Sequence, residues 1–380
     1  MYSVVNVGHL RYSSKLSAKM SPIFHDVERN LMKIMPLLLV TLTLIALPAR
    51  AANAGAFPAP SSLVNWWPAD GNAKDIMGGN NGTLINGASF SPGEVRQSFS
   101  LNGIGQYVQA ASAIPFRSND FSIDLWARLN SVIPSTLSNP SDIFIGDDNG
   151  GGENDKWFFA LGGGALYFHI NSPTISCRAG TNGPCFFAQY PFTPNLNQWY
   201  NLAVTRSSGT ITIYVNGAQV SSDFTLDTSN PTAPMTIGWA EGLSFVDGLI
   251  DEVQIYNGAL AASDIQSIFD ADSNGIALHT STIVSCSPNT IEDHHSTTCI
   301  ASVTNPSRFA TPTGIVSWSS NGVGTFSTTS CTLSGTGSTS TCTVIYTATP
   351  GKPTLQTITG SYSGDTYHFE SSGSMAITVH

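Results

Sequence analysis

Short runs in which apolar and polar residues alternate dominate this chain. Phe121, Ile123 and Leu125 alternate with Ser122, Asp124 and Trp126, the two-residue period of a strand with one buried face. Residues 199–206, a Ser-Ser-Gly turn, and then Ile211, Ile213 and Val215 ending at Asn216-Gly217 read as successive hairpins, the last with type I′ turn chemistry. No long stretch with a 3.6-residue period competes with this reading. One short helix is predicted after the last strand of this region. Ser263 and Gln266 are spaced there as a capping box, and Ile265, Ile268 and Phe269 form an apolar stripe. Residues 273–280 (SNGIALHT) read as a linker, because the composition beyond them shifts abruptly to Ser and Thr. Residues 281–380 then carry roughly seven strand-like runs, the size and strand number of one sandwich domain.

Composition agrees with an all-β chain: only 11% of residues are charged, and 35 glycines and 21 prolines punctuate the β-branched runs. Residues 32–54 (MKIMPLLLVTLTLIALPARAANA) have one lysine, an apolar stretch at 36–47 and small residues at Ala49, Ala51, Ala52 and Ala54. That layout predicts a secretory signal cleaved after Ala51 or Ala54. The apolar stretch is broken by prolines and falls short of the roughly 20 residues that span a bilayer, so a membrane anchor with a cytoplasmic tail is the weaker alternative. The polar extension before Met32 is unusual ahead of such a signal and leaves both Met1 and Met32 as starts.

Of the 15 Lys and Arg, 6 lie at or before position 54, and of the 25 Asp and Glu only 2 do, so 9 basic residues face 23 acidic ones beyond it. A surface this acidic repels phosphate backbones and disfavours nucleic acid as a partner. All 6 cysteines lie in the same part, as expected of a secreted or cell-surface protein. The pairings expected are Cys177 with Cys185, Cys286 with Cys299 and Cys331 with Cys342, each closing a short loop.

Four segments carry a resemblance over residues 55–272: LVNWWPADGNAKDIMGGNNGT at 63–83, SFSLNGIGQYVQ at 98–109, the Trp199 hairpin and IDEVQIYNGAL at 250–260. Together they resemble the laminin G-like, concanavalin A-type jelly roll. The resemblance implies a calcium ion at the sandwich edge, with Asp75 and Asp251 as ligands and backbone carbonyls of residues 78–81 completing an oxygen shell. On the residues alone, Asp75 reads equally as the head of an Asx-turn and Asp251 as a hydrogen-bonded strand-end acid.

The acidic stretch 147–155 (DDNGGGEND) offers Asp147 and Asp148 for a second ion or a ligand-binding rim; a solvated hairpin tip is the competing reading, and the spacing fails the EF-hand pattern. Of Trp66, Trp67, Trp126, Trp157 and Trp239, most are expected to fill the core. Trp126, opposite the Phe121/Ile123/Leu125 face, and Trp157, beside the acidic loop, are the candidates for stacking on a sugar ring. His294 and His295 follow Glu292 and Asp293 in a turn without a third group spaced for zinc.

Residues 281–380 resemble bacterial immunoglobulin-like repeats through SCSPNT at 285–290, TTCIASV at 297–303, GIVSWSS at 314–320 and TITGSYSGD at 357–365. They depart from antibody domains in having Trp318 but no cysteine on the Tyr362 strand. In such proteins these domains are spacers or adhesion units.

Jelly rolls also host glucanases, in the pattern Glu-x-Asp-x-x-Glu. Ser122 and Ala127 flank Asp124, and Leu249 and Gln254 flank Asp251, so neither strand supplies the catalytic pair. No Gly-x-Ser-x-Gly elbow or phosphate-binding glycine loop appears either. The sequence therefore points to a non-catalytic binder of a glycan or an extracellular protein, with ligand choice set by the loops at 134–154 and 172–194. A structural envelope or appendage component, or a glucanase-type enzyme, are the alternatives.

Overall fold

The computed structural model describes residues 55–150, 154–171, 185–225, 228–240, 244–349 and 354–380. The expected secretory signal lies outside them. Among the described residues no helix is long and apolar enough to cross a membrane.

The first half is a sandwich of two antiparallel sheets. The seven-stranded sheet runs Phe186–Pro191, Ala165–Asn171, Lys156–Gly162, Asp142–Asp148, Thr236–Ile237, Tyr107–Ala110 and Gly82–Ile85. The eight-stranded sheet runs Ala218–Phe224, Thr210–Val215, Trp199–Ser207, Phe121–Leu129, Asp247–Tyr256, Gln97–Asn102 and Ser89–Pro92, with Leu63–Trp67 also pairing Asp247–Tyr256. The long closing strand thus bonds to the opening one, Val253 opposite Trp67, which is why two sequence segments so far apart mark the fold together. Phe121, Ile123, Leu125, Phe99, Phe159, Phe168 and Ile213 fill the space between the sheets. The hairpin turns follow from their residues: Asn216 and Gly217 both take positive φ (50° and 77°), as a type I′ turn demands.

Strand Phe121–Leu129 departs from the expected single buried face. Ser122 and Asp124 are fully buried and Trp126 nearly so, because the helix Ala262–Ala271 and the segment after it cover the outer face of this sheet. Ile265 and Ile268 pack there with Tyr214 and Tyr256. The capping box does not form. Ala261, two residues before Ser263, is the N-cap and supplies no side-chain bond, and Gln266 bonds Asp270 instead. Residues 273–280 are likewise no free tether: Ile276–Ala277 pairs in parallel with Phe57–Pro58, and Leu278 exchanges backbone bonds with Tyr367 and Phe369.

Residues 281–380 form a second sandwich of two five-stranded sheets. Strand Ser281–Ser287 alternates exposed and buried positions without a break, and Trp318, Tyr346 and Tyr362 anchor the core. Cys286–Cys299 joins directly opposed residues of neighbouring strands. Cys331–Cys342 ties a strand of one sheet to a strand of the other. The expected partner of Cys185, Cys177, lies outside the described residues. The two sandwiches are bonded to one another by Ser307 Oγ to the Ile76 carbonyl, Arg96 to the Thr366 carbonyl (2.6 Å) and Tyr367 Oη to Asp70 (3.1 Å).

Candidate functional site

Asp75 is the hub of a turn. Its Oδ1 accepts the backbone N–H groups of Trp66, Met77 and Gly78, and its Oδ2 accepts Asn80 N–H and the Asn65 side-chain amide, at 2.6–3.0 Å. A Cβ on Gly78 would stand 2.2 Å from Asn65 Nδ2, so only glycine lets the turn close. Asp251 serves a different turn: its Oδ2 accepts Val95 N–H (2.9 Å) and its Oδ1 accepts its neighbour's N–H (2.8 Å). Burial, with Glu252 next to it, holds the Asp251 carboxyl well above the usual range.

Calcium requires six to eight oxygen ligands. Asp75 is instead ringed by five N–H donors, whose hydrogens occupy the positions a cation would need, and Asp251 spends one bond from each oxygen on another turn, so the residues do not fit the ion. Among the described residues there is no group of three or more His, Cys, Asp or Glu able to hold a metal.

Asp147 is fully buried. Its Oδ2 accepts Ile114 N–H at 2.5 Å, and burial, with Asp148 nearby, pushes its carboxyl up to about 7. Asp148 pairs with Lys156 (3.5 Å) and accepts Gly150 N–H (2.8 Å). These acids fix the rim to the body of the sandwich, as does Asn149, whose Oδ1 accepts Thr232 N–H and Ala233 N–H.

Trp157 and Trp126 are both interior rings rather than rim platforms. Trp157 lies at 1% exposure between Phe116 and Phe168 and donates Nε1–H to the Ile114 carbonyl, while Phe269 of the helix stacks over Trp126. The alternation that placed Trp126 away from the core was correct; what covers that face was not legible in it. His294 and His295 are exposed on their turn.

Trp239 is different. Half-buried, it stacks on Phe245 (ring centroids 5.7 Å apart, 10° between planes) and meets Tyr107 at 4.7 Å, and its Nε1 has no partner. Phe245 also lines a cavity of about 250 Å³ with Asn102, Ser131, Asp142 and Asp247. Asp247 is braced by Ser131 Oγ (2.5 Å) and Asn130 Nδ2 (3.3 Å). Asp142 is 2% exposed and its Oδ2 has no hydrogen-bond partner. Burial pushes its carboxyl up to about 7; a hydrogen bond from Ser141 opposes this, and Asp247 raises it through its charge while lowering it through a backbone hydrogen bond. A second, larger hollow of about 490 Å³, lined by Pro134, Phe192, Pro194 and Leu196, shares Ile133 and Ser141 with the first. Aromatic faces, hydroxyls, an amide and two carboxylates thus converge at the loop end of the sandwich.

Only Trp239 of this group stood out in the sequence. Tyr107 falls within the 98–109 segment and Asp142 within the 134–154 stretch, but neither stands out there, and Phe245 and Asp247 carry no motif; they meet because the Trp239–Ala240 and Ser244–Phe245 ribbon folds beside the Asp142 strand.

Residues 102–266 match the family model of the concanavalin A-like lectin/glucanases superfamily. The match takes in the site and most of the jelly roll. No curated protein matches the chain. Among solved structures, domain 4 of AbnA, an extracellular arabinanase of Geobacillus stearothermophilus held with arabinotriose, aligns with a TM-score of 0.42 and 18% identity over 54% of this chain and 97% of that one. The binding domain of Paraclostridial mosquitocidal protein 1 aligns at 0.41 and 17%, over 64% of each chain. Trypanosoma rangeli sialidase aligns at 0.41 and 15%, over 57% of this chain, which spans only 34% of the sialidase.

Proposed function

We propose that this is an exported, non-catalytic glycan-binding protein whose working surface is the loop end of the jelly roll. The C-terminal sandwich, read as immunoglobulin-like, holds that surface away from an attachment point. The observation that carries the reading is the Trp239–Phe245–Tyr107 cluster opening beside a cavity lined with Asn102, Ser131, Asp142 and Asp247. Aromatic faces take the apolar faces of a sugar, while a few convergent polar groups fix its hydroxyls. Asp124 and Glu252, the acids on facing strands of the large sheet, are 0% and 1% exposed beneath the helix layer and have no path to a polysaccharide.

One observation favours a second reading. Asp142, with its raised carboxyl, and Asp247 line the same cavity, and such a pair is the equipment of an acid-assisted glycosidase. Binding is preferred because Asp247, the second acid of the pair, already accepts Ser131 Oγ and Asn130 Nδ2, one on each oxygen, which holds it as a fixed wall group. A panel of polysaccharides assayed for both retention and release of reducing ends separates the two. Retention that falls in Trp239→Ala with no new reducing ends supports the binder; release abolished in Asp142→Asn supports the enzyme.

A further inference from the structure

We propose that the cavity between Asp142 and Asp247 is a subsite for a protonated amine, so that the recognised glycan carries a free, non-acetylated amino sugar. This rests on the glycan-binding reading and names its ligand class. The cavity is walled by two carboxylates, and no Lys, Arg or His lines it among the described residues. Asp142 is buried to 2% exposure with Oδ2 facing no donor, a costly arrangement for a polar atom that the protein leaves unsatisfied.

A neutral hexose offers hydroxyls that serve Asp142 only as single donors. An ammonium offers three N–H donors and the missing positive charge, and bonds in which both partners are charged are the stronger kind. Phe245 supplies an aromatic wall, which also attracts a cation. Ser131 and Asn102 remain for the hydroxyls. The volume, about 250 Å³, is below the range of roughly 300–1,000 Å³ typical of drug-sized ligands and suits one ring of a chain whose neighbours extend over Trp239. A divalent cation fits less well, because the oxygens of Asp247 already accept Ser131 and Asn130 and no third acidic ligand joins the pair.

The test is calorimetric titration of the full chain with the glucosamine trimer and with its fully N-acetylated counterpart at neutral pH. The amine-bearing trimer is expected to bind at least tenfold more tightly. In Asp142→Asn, which keeps the shape of the side chain, that advantage is expected to vanish while the melting temperature is not lowered. Equal affinities, preference for the acetylated trimer, or an advantage that survives Asp142→Asn overturns the proposal. So does calcium alone raising the melting temperature of the wild type but not of Asp142→Asn, which would make this a metal site. Acetylated trimer bound through Trp239 without amine preference refutes this subsite and leaves the glycan reading standing; binding of neither trimer nor any polysaccharide refutes both.

Discussion

Replacing Asp124 by asparagine is expected to stabilise the protein at neutral and alkaline pH and to leave it nearly unchanged in acid. The Asp124 carboxyl is fully buried, accepts one bond from Asn201 Nδ2 (2.9 Å), and has no partner at Oδ2. Burial pushes it up to about 8, with Asn201 opposing. The unfolded chain releases this proton near pH 3.9. A carboxyl raised by folding contributes stability that is complete below the unfolded value, declines as pH climbs, and is lost once pH passes the folded value, here over a window from about 4 to 8. At roughly 1.4 kcal/mol per pH unit, the decline from pH 4 to pH 7 is about 4 kcal/mol. Asparagine has no proton to lose, so the variant lacks this slope. Urea denaturation at pH 4.5, 6, 7.5 and 8.5 measures it directly. Other buried acids, Glu252 and Asp147 among them, slope the same way in both proteins and cancel in the difference. Two parallel stability curves, offset by a constant, would refute the reasoning.

Trp239→Ala is expected to weaken glycan retention by up to about tenfold, the value of one aromatic stacking contact, with a small change in melting temperature because the ring is half-exposed. Asp75→Ala leaves four backbone N–H groups and the Asn65 amide without their acceptor, so urea denaturation is expected to show a loss above about 3 kcal/mol. Millimolar calcium or a chelator is expected to leave the wild-type midpoint in place. Removing the Cys331–Cys342 bridge by a double serine substitution is expected to cost about 2–3 kcal/mol, read from the same denaturation curves.

The sandwich was legible because its information is local and periodic: Phe121, Ile123 and Leu125 declare one face, and Asn216-Gly217 declares a turn. The site was not. Asp142, Phe245 and Asp247 are ordinary residues at strand ends, and the meeting of Asp142 with the other two, a hundred residues on, depends on strand pairings that periodicity does not encode. Trp126 and Trp157 misled for a related reason. Alternation tells which face a ring occupies but not whether a helix distant in sequence, or loop residues such as Phe116, will cover it. Asp75 was readable as a turn former from its Gly/Asn surroundings, and its five N–H donors agree with that plain reading over the metal ligand implied by resemblance.

The parallel pairing of Phe57–Pro58 with Ile276–Ala277 gives the jelly roll a mechanical property. Tension that pulls residue 57 backward along the chain and residue 277 forward slides these strands past each other, so the bonds from Phe57 N–H to Gly275 and from Ala59 N–H to Ala277, each 2.9 Å, bear load together instead of parting one after another.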